Sequence, residues 1–209
     1  MSVNPKLYHS PNSRSFRVLW ALEEVGVPYD LELLVFPPRI TKPTFLDENP
    51  LGTVPLFIDG DLRMTESAAI CHYLGAKHAP GRLVPDTDAA TFGTFLNYLH
   101  FGEATLTFPQ AIVLRYGQFE EEGRRSPQVV ADYSKWFLAR ARGIEAFLSR
   151  GAYAAGAVFT MADISVGYAI MLARHTGLFD QLAMPTQDYW RRLEARPAFA
   201  RALSVQVMP

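Results

Sequence analysis

The stretch Asn49-Pro50-Leu51-Gly52-Thr53-Val54-Pro55, the apolar run Leu56-Phe57-Ile58, the turn Asp59-Gly60-Asp61 and then Glu66-Ser67-Ala68-Ala69-Ile70-Cys71 decide the fold of this chain. A proline directly after a β-branched residue removes one backbone donor and restricts Val54 to extended dihedrals, so Val54 can offer its own N–H and C=O at the mouth of a strand. Leu56 to Ile58 then read as a short strand, Asp59-Gly60-Asp61 as a hairpin turn and Leu62 to Met64 as the returning strand. Thr65-Glu66-Ser67 opens an amphipathic helix through Tyr73-Leu74, and its unpaired first N–H groups point at the proline. Together these residues describe a pocket for a short anionic peptide.

Working outward, Lys6 to His9 reads as a strand and Arg14 to Val25 as a helix stopped by Gly26. Tyr29, Leu31, Leu33 and Val35 alternate as a second strand, followed by a loop. A βαβ unit followed by ββα predicts a four-stranded mixed sheet with helices packed on it, a thioredoxin-like α/β domain over residues 1–79. The breakers in Ala79-Pro80-Gly81-Arg82-Leu83-Val84-Pro85-Asp86 mark a linker over 80–88. From 89 to 209 helical periodicity dominates, with helices predicted over Ala89 to Gln118, Gln128 to Ser149, Asp163 to Ala173, Asp188 to Ala195 and Pro197 to Leu203, an all-α bundle. Thr160-Met161-Ala162-Asp163 fits a capping box, in which the Thr160 hydroxyl accepts from the N–H of residue 163 and the Asp163 carboxylate reaches back to the N–H of residue 160, with Phe159 and Ile164 as the apolar staple. That reading makes Asp163 structural.

Composition narrows the function classes. With 209 residues, 49% hydrophobic and 20% charged, the chain folds as an ordinary globular protein. A net charge of −1, with basic residues adjoining only as pairs such as Arg124-Arg125 and Arg191-Arg192, gives nucleic-acid binding no electrostatic support. The amino terminus lacks a charged segment followed by an apolar core, and no apolar run approaches bilayer length, so a cytoplasmic location without a membrane partner is expected. The single cysteine, Cys71, excludes an internal disulfide and any Cys-x-x-Cys motif, and its apolar surroundings make it inert core. His9, His72, His78 and His175 show no metal-ligand spacing and no Gly-rich phosphate loop occurs, so no metal is expected.

Leu7-Tyr8 through Ser15, Arg17-Val18-Leu19-Trp20-Ala21-Leu22-Glu23-Glu24, Asn49 to Pro55, Glu66 to Cys71, Leu99 to Leu106 and Phe159 to Asp163 together resemble the soluble glutathione transferases, over nearly the whole chain. The resemblance implies a detoxification enzyme, a homodimer, with glutathione as cosubstrate and a small hydrophobic electrophile as partner. It also implies roles. The helix start at Thr65 to Ser67 and the Ser67 hydroxyl would receive the γ-glutamyl carboxylate, Glu66 the ammonium, Val54 beside a cis Pro55 the cysteinyl backbone, and Lys42 the glycyl carboxylate. Ser13 takes the place where glutaredoxins carry their nucleophilic cysteine and theta-type transferases their serine. As catalytic residue it would donate to the glutathione thiolate. Beta-type members place a cysteine where Arg14 lies, and phi- and zeta-type members a serine nearer Asn12, so Asn12, Ser10, Ser15 and Tyr8 stand beside Ser13 as alternatives and the subclass stays open.

Each feature also has a plain structural reading: Ser13 or Ser15 as a helix N-cap, Lys42 as a solvated cation and Glu66 as a dipole-favoured acid. His100, Phe101, Ala104, Thr105 and Phe108, with Tyr116 and Phe119 following, recur at helical spacing and line either an electrophile cleft or bundle core. The function expected is conjugation of glutathione to small apolar electrophiles. A glutathione-dependent isomerase, dehalogenase or peroxidase, or a non-catalytic carrier of the same fold, are the alternatives.

Overall fold

The computed structural model describes residues 4–207. Strand β1 (Lys6–His9) is followed by helix α1 (Phe16–Val25), strand β2 (Asp30–Leu33), two single-turn helices α2 (Pro38–Thr41) and α3 (Phe45–Glu48), the hairpin β3 (Leu56–Asp59) and β4 (Leu62–Met64), and helix α4 (Ser67–His78). The sheet order is β2-β1-β3-β4, with β1 parallel to β2 and antiparallel to β3. This is the mixed thioredoxin-like sheet the sequence predicts. Strand alternation sorts its side chains onto two faces. Phe57 turns toward Tyr73 of α4, while Tyr8 and Leu56 join Leu34, Phe45 and Val54 on the other face, with the Tyr8 and Phe45 ring centroids 5.4 Å apart.

The segment read as a loop before Asn49 contains α2 and α3, which the sequence reading missed. A four-residue helix is one turn and shows no periodicity to detect. Helix α4 begins at Ser67, with Glu66 in the cap position and no side-chain capping bond, and runs to His78, four residues past its expected end at Leu74.

The predicted helix from Ala89 to Gln118 is instead α5 (Phe92–His100), a π-helical stretch over Phe101–Thr107, α6 (Phe108–Leu114) and a second π-helical stretch over Arg115–Phe119. Wider π turns shift backbone carbonyls out of the i→i+4 ladder, and side chains meet them here. Ser165 Oγ donates to Leu99 O at 2.6 Å, Thr107 Oγ1 to Gly102 O at 2.7 Å, and Gln110 Nε2 to Leu106 O at 3.1 Å and Ala169 O at 2.9 Å. Gly102 is needed because a Cβ there would lie 2.4 Å from the backbone of Ser165. Helices α7 (Pro127–Leu148), α8 (Met161–His175) and α9 (Met184–Glu194) follow, and α8 is buried from Met161 through Ala173. Helix α10 (Pro197–Val205) closes the chain.

Contacts divide the chain into two compact units, one running to Val84 and resuming at Glu194, the other Pro85–Leu193. The last helix is therefore grouped with the sheet, whereas the sequence reading placed it with the bundle. The reason lies on α1. Phe199 packs edge-on against Phe16 and Trp20, with centroids 5.6 and 4.9 Å away, and Arg196 and Arg201 pair with Glu24 and Glu23 at 2.6 and 2.7 Å. Among the described residues no helix is long and apolar enough to cross a membrane, and no cluster of three or more His, Cys, Asp or Glu side chains could hold a metal ion.

Candidate active site

Register brings the predicted site residues toward one end of the sheet. Tyr8 lies opposite Leu56, so the loop leaving β1 runs beside the Val54-Pro55 entry to β3. Helices α1 and α4 pack on each other, and Arg17, on the first turn of α1, donates Nη1 to Ser67 Oγ at 3.2 Å. The amino ends of α1 and α4 are thus neighbours, with Ser67 bonded to Arg17, Glu66 in the cap position of α4 and Ser13 three residues ahead of α1. Lys42 stands on the β2 edge instead. Its Nζ is 2.6 Å from Glu32 Oε1, and Lys6 holds the other oxygen of Glu32 at 2.6 Å. Burial alone would raise the Glu32 pKa, but the bonds to Lys42 and Lys6 prevail and hold it below its ordinary value.

The loop after β1 is a hydrogen-bonded knot of small side chains. Ser13 N donates to Ser10 O at 3.2 Å, and Ser15 N donates to Ser13 Oγ at 3.3 Å. Ser13 Oγ and Ser15 Oγ are 2.7 Å apart, Ser15 Oγ is 2.6 Å from His9 Nδ1, and Ser10 N donates to Ser15 Oγ at 3.2 Å. Ser15 occupies the cap position of α1, yet its hydroxyl makes no capping bond. His9, Ser10 and Ser15 are fully buried, Ser13 is half-buried and Asn12 is exposed. Burial lowers the His9 pKa to about 4, against a smaller upward pull from the nearby Gln206 amide. Asn12 adopts a left-handed conformation, φ 59°, and is held from both sides by Gln206: its N–H donates to Gln206 Oε1 at 3.1 Å, and its Oδ1 accepts from Gln206 Nε2 at 3.2 Å. The Tyr8 hydroxyl accepts from Lys6 Nζ at 3.1 Å, on the sheet face that packs against Phe45.

The loop that delivers Val54 is built by Asn49, whose Nδ2 donates to Thr53 O at 2.7 Å and whose Oδ1 accepts from Leu51 N at 3.1 Å. Gly52 has φ +61°, and a Cβ on it would sit 2.7 Å from Arg39 Cβ. The Val54–Pro55 and Phe36–Pro37 peptides are cis. Glu66 is exposed and Ser67 buried at the head of α4. Cys71 is fully buried, its Sγ donating to Arg17 O at 3.5 Å, and burial pushes its thiol pKa up to about 12.

In the helical unit His100, Ala104, Phe108 and Phe119 are exposed, whereas Leu99, Gly102, Leu106, Gln110 and Val113 form the buried side of the same helices. Phe108 meets Tyr133 edge-on at 6.4 Å and Tyr133 stacks on Trp136 at 5.2 Å, which makes an aromatic face. Asp163 is consumed by structure, accepting from Thr160 N at 2.8 Å, Thr160 Oγ1 at 3.1 Å, Ala154 N at 2.8 Å and Tyr189 OH at 2.6 Å.

Three participants were not singled out by sequence reasoning. Arg17 entered it only as part of a helix motif, and His9 only as a non-ligand histidine. A histidine closing a strand ahead of serines at 13 and 15 was the available signal. Gln206 carried none, being 194 residues from Asn12.

Residues 4–76 match the family described as glutathione S-transferase, N-terminal domain. Over longer spans, glutathione S-transferase 3 of Schizosaccharomyces pombe is 30% identical across 207 residues, 92% of this chain and 84% of that protein. Glutathione S-transferase 4 of Zea mays is 32% identical across 207 residues, 92% of this chain and 87% of that protein. Among solved structures, the theta class glutathione S-transferase from Xanthomonas axonopodis pv. citri with glutathione bound superposes with TM-score 0.81 at 24% identity, covering 97% of this chain and 98% of that one. Maize glutathione S-transferase I in complex with an atrazine glutathione conjugate gives TM-score 0.82 at 24% identity, covering 98% of each chain. With the mixed sheet, the matching N-terminal domain and relatives of 30% and 32% identity over 92% of the chain in agreement, the chain belongs to the glutathione S-transferase family.

Proposed function

We propose that this protein conjugates glutathione to small apolar electrophiles by holding the tripeptide's sulfur as a thiolate against the Ser13 hydroxyl. The observation that carries this reading is the state of the serine loop. Ser10 and Ser15 are fully buried and Asn12 is tied to Gln206, while Ser13, ahead of α1, is only half-buried. A hydroxyl donating to a thiolate contributes about 1.5–3 kcal/mol and a helix amino terminus about 0.3–2 kcal/mol. Together they lower a thiol pKa of about 8.5 by roughly one to three units, enough to ionise glutathione near neutral pH. Ser13 stabilises the nucleophile that the substrate brings and attacks nothing itself.

The remaining roles follow the chemistry of the tripeptide. Ser67 and the first N–H groups of α4 receive the γ-glutamyl carboxylate, Glu66 pairs with the ammonium, and Val54 meets the cysteinyl backbone. Lys42 takes the glycyl carboxylate in competition with Glu32, its present partner. The aromatic face of Phe108, Tyr133 and Trp136 suits an apolar electrophile. A second copy of the chain is the partner that the exposed side chains of Phe36, Ile40, Leu46 and Leu51 call for.

The test is Ser13→Ala, assayed with a chromogenic aryl halide after retention on immobilised glutathione. Turnover should fall about 10- to 100-fold with glutathione binding little changed, and an unchanged rate rejects the assignment. Retention of the native protein on the resin, without turnover of aryl halide or hydroperoxide, would replace the enzyme reading with that of a carrier.

A further inference from the structure

We propose that His9 is a positioning residue for the thiol chemistry, its Nδ1–H acting through the Ser15 hydroxyl to aim the Ser13 proton at the glutathione sulfur. The inference rests on the assignment of Ser13 above. It comes from counting lone pairs and protons along the chain His9 Nδ1, Ser15 Oγ and Ser13 Oγ, whose links are 2.6 and 2.7 Å.

A hydroxyl has one proton to give and two lone pairs to fill. Ser15 Oγ already accepts from Ser10 N at 3.2 Å. When His9 carries its proton on Nδ1, the ring fills the second lone pair and the Ser15 proton goes to Ser13 Oγ at 2.7 Å in preference to Ser10 O, which lies 3.4 Å away. Ser13 Oγ then accepts from the Ser15 hydroxyl and from Ser15 N at 3.3 Å, so both its lone pairs are occupied. Its own proton is the one group in the chain left to point outward. Run in the opposite sense, Ser13 donates to Ser15, Ser15 donates to His9 Nδ1, and nothing remains for a ligand. An anion at the sulfur position selects the first sense, because each O–H or N–H dipole then turns its positive end toward the charge and reinforces the next.

The surroundings of His9 support this sense. Its Nδ1 lies 2.6 Å from Ser15 Oγ, whereas Nε2 is buried and makes no hydrogen bond among the described residues, so the ring's contact with a hydroxyl runs through Nδ1. Burial also keeps the ring neutral across the neutral range, so a single proton sits on one nitrogen and no buried cation is introduced. The Ser13 reading needs only a hydroxyl; the relay explains why that hydroxyl offers a donor rather than spending its proton on Ser15.

The experiment is ultraviolet titration of the thiolate in the protein–glutathione complex, with steady-state kinetics, for His9→Phe, Ser15→Ala, His9→Asn and Ser13→Ala. His9→Phe and Ser15→Ala should each raise the bound thiol's pKa by about 0.5 to 1 unit and lower kcat about three- to tenfold, with KM for glutathione changed less than about twofold. Combining them should add little, because both cut one chain. His9→Asn, whose amide N–H replaces Nδ1–H, should recover most of the loss, and an Asn variant no better than Phe overturns the donor role. A shift in Ser13→Ala with none in His9→Phe overturns the relay and leaves Ser13 standing, whereas no shift in Ser13→Ala overturns both. Should His9→Phe not fold, Ser15→Ala, which removes a single oxygen, decides the relay on the same criterion.

Discussion

Arg17 sets how Ser67 can be used. The guanidinium is fully buried and fills a lone pair of the Ser67 hydroxyl, so that in the role proposed above the hydroxyl proton would go to the glutathione carboxylate. Ser67→Ala is therefore expected to raise KM for glutathione about tenfold, corresponding to roughly 1.5 kcal/mol for a lost charge-assisted bond, while kcat stays within about twofold in steady-state assays. His9 carries a consequence for stability. Its pKa of about 4 in the fold lies below the ordinary value of 6.5, so between these values the unfolded chain binds the proton and the folded chain does not. Stability is full above pH 6.5 and declines as the pH falls toward 4, by up to about 3 kcal/mol from this group. Urea unfolding from pH 7 to pH 4 should show that decline, and a folded His9→Phe should show a shallower one. Cys71, buried with its thiol pKa near 12, should react with iodoacetamide only at the rate at which the chain opens. Ser13 and Ser67 were legible because their neighbours in sequence place them at helix starts. Arg17 and His9 were not, since a side chain's use is set by what it touches, and Arg17 touches a residue 50 positions away.

At the scale of elements, the loop from Asn49 to Pro55 and the start of α8 are the two pieces whose local chemistry is most demanding. Gly52 combines a left-handed backbone with a Cβ position already occupied by Arg39. Gly52→Ala should cost about 1–3 kcal/mol and weaken glutathione binding by displacing Val54, as read by thermal unfolding and calorimetry. Asp163 gathers four donors, and Asp163→Ala would strand those of Thr160, Ala154 and Tyr189 in the core. A loss of about 3–5 kcal/mol, seen as a lower unfolding midpoint, is the expected outcome. The strands and the starts of α7 and α10 could be read from the sequence to within a residue or two, because alternation, caps and prolines are local signals. The single turns α2 and α3 lack a period, and the π turns after His100 answer to bonds from Ser165 to Leu99 and from Gln110 to Ala169, pairs 66 and 59 positions apart that no short window of sequence spans.

For the molecule as a whole, the decisive connection is the return of the chain to its beginning. Arg196 grips Glu24 with two bonds, of 2.6 and 2.8 Å, and the Glu24 side chain is only 6% exposed. Arg196→Ala should therefore cost about 2 kcal/mol, since it leaves a nearly buried carboxylate with the Trp20 indole N–H as a weaker partner. Beyond α10, Gln206 clasps Asn12 in the loop that carries Ser13. Gln206→Ala is expected to speed amide exchange at Asn12 at least about tenfold while α10 stays protected, which hydrogen exchange can read residue by residue. The order of strands and helices, the hairpin after Pro55 and the family itself were determined by the sequence, because periodicity, turn residues and spacing act between near neighbours along the chain. Which side chains of the serine loop are buried, which histidine and arginine bond Ser15 and Ser67, and where the last helix rests were decided only by the tertiary structure. Those are matters of burial and of partners as many as 194 residues apart, which only folding brings within hydrogen-bond reach.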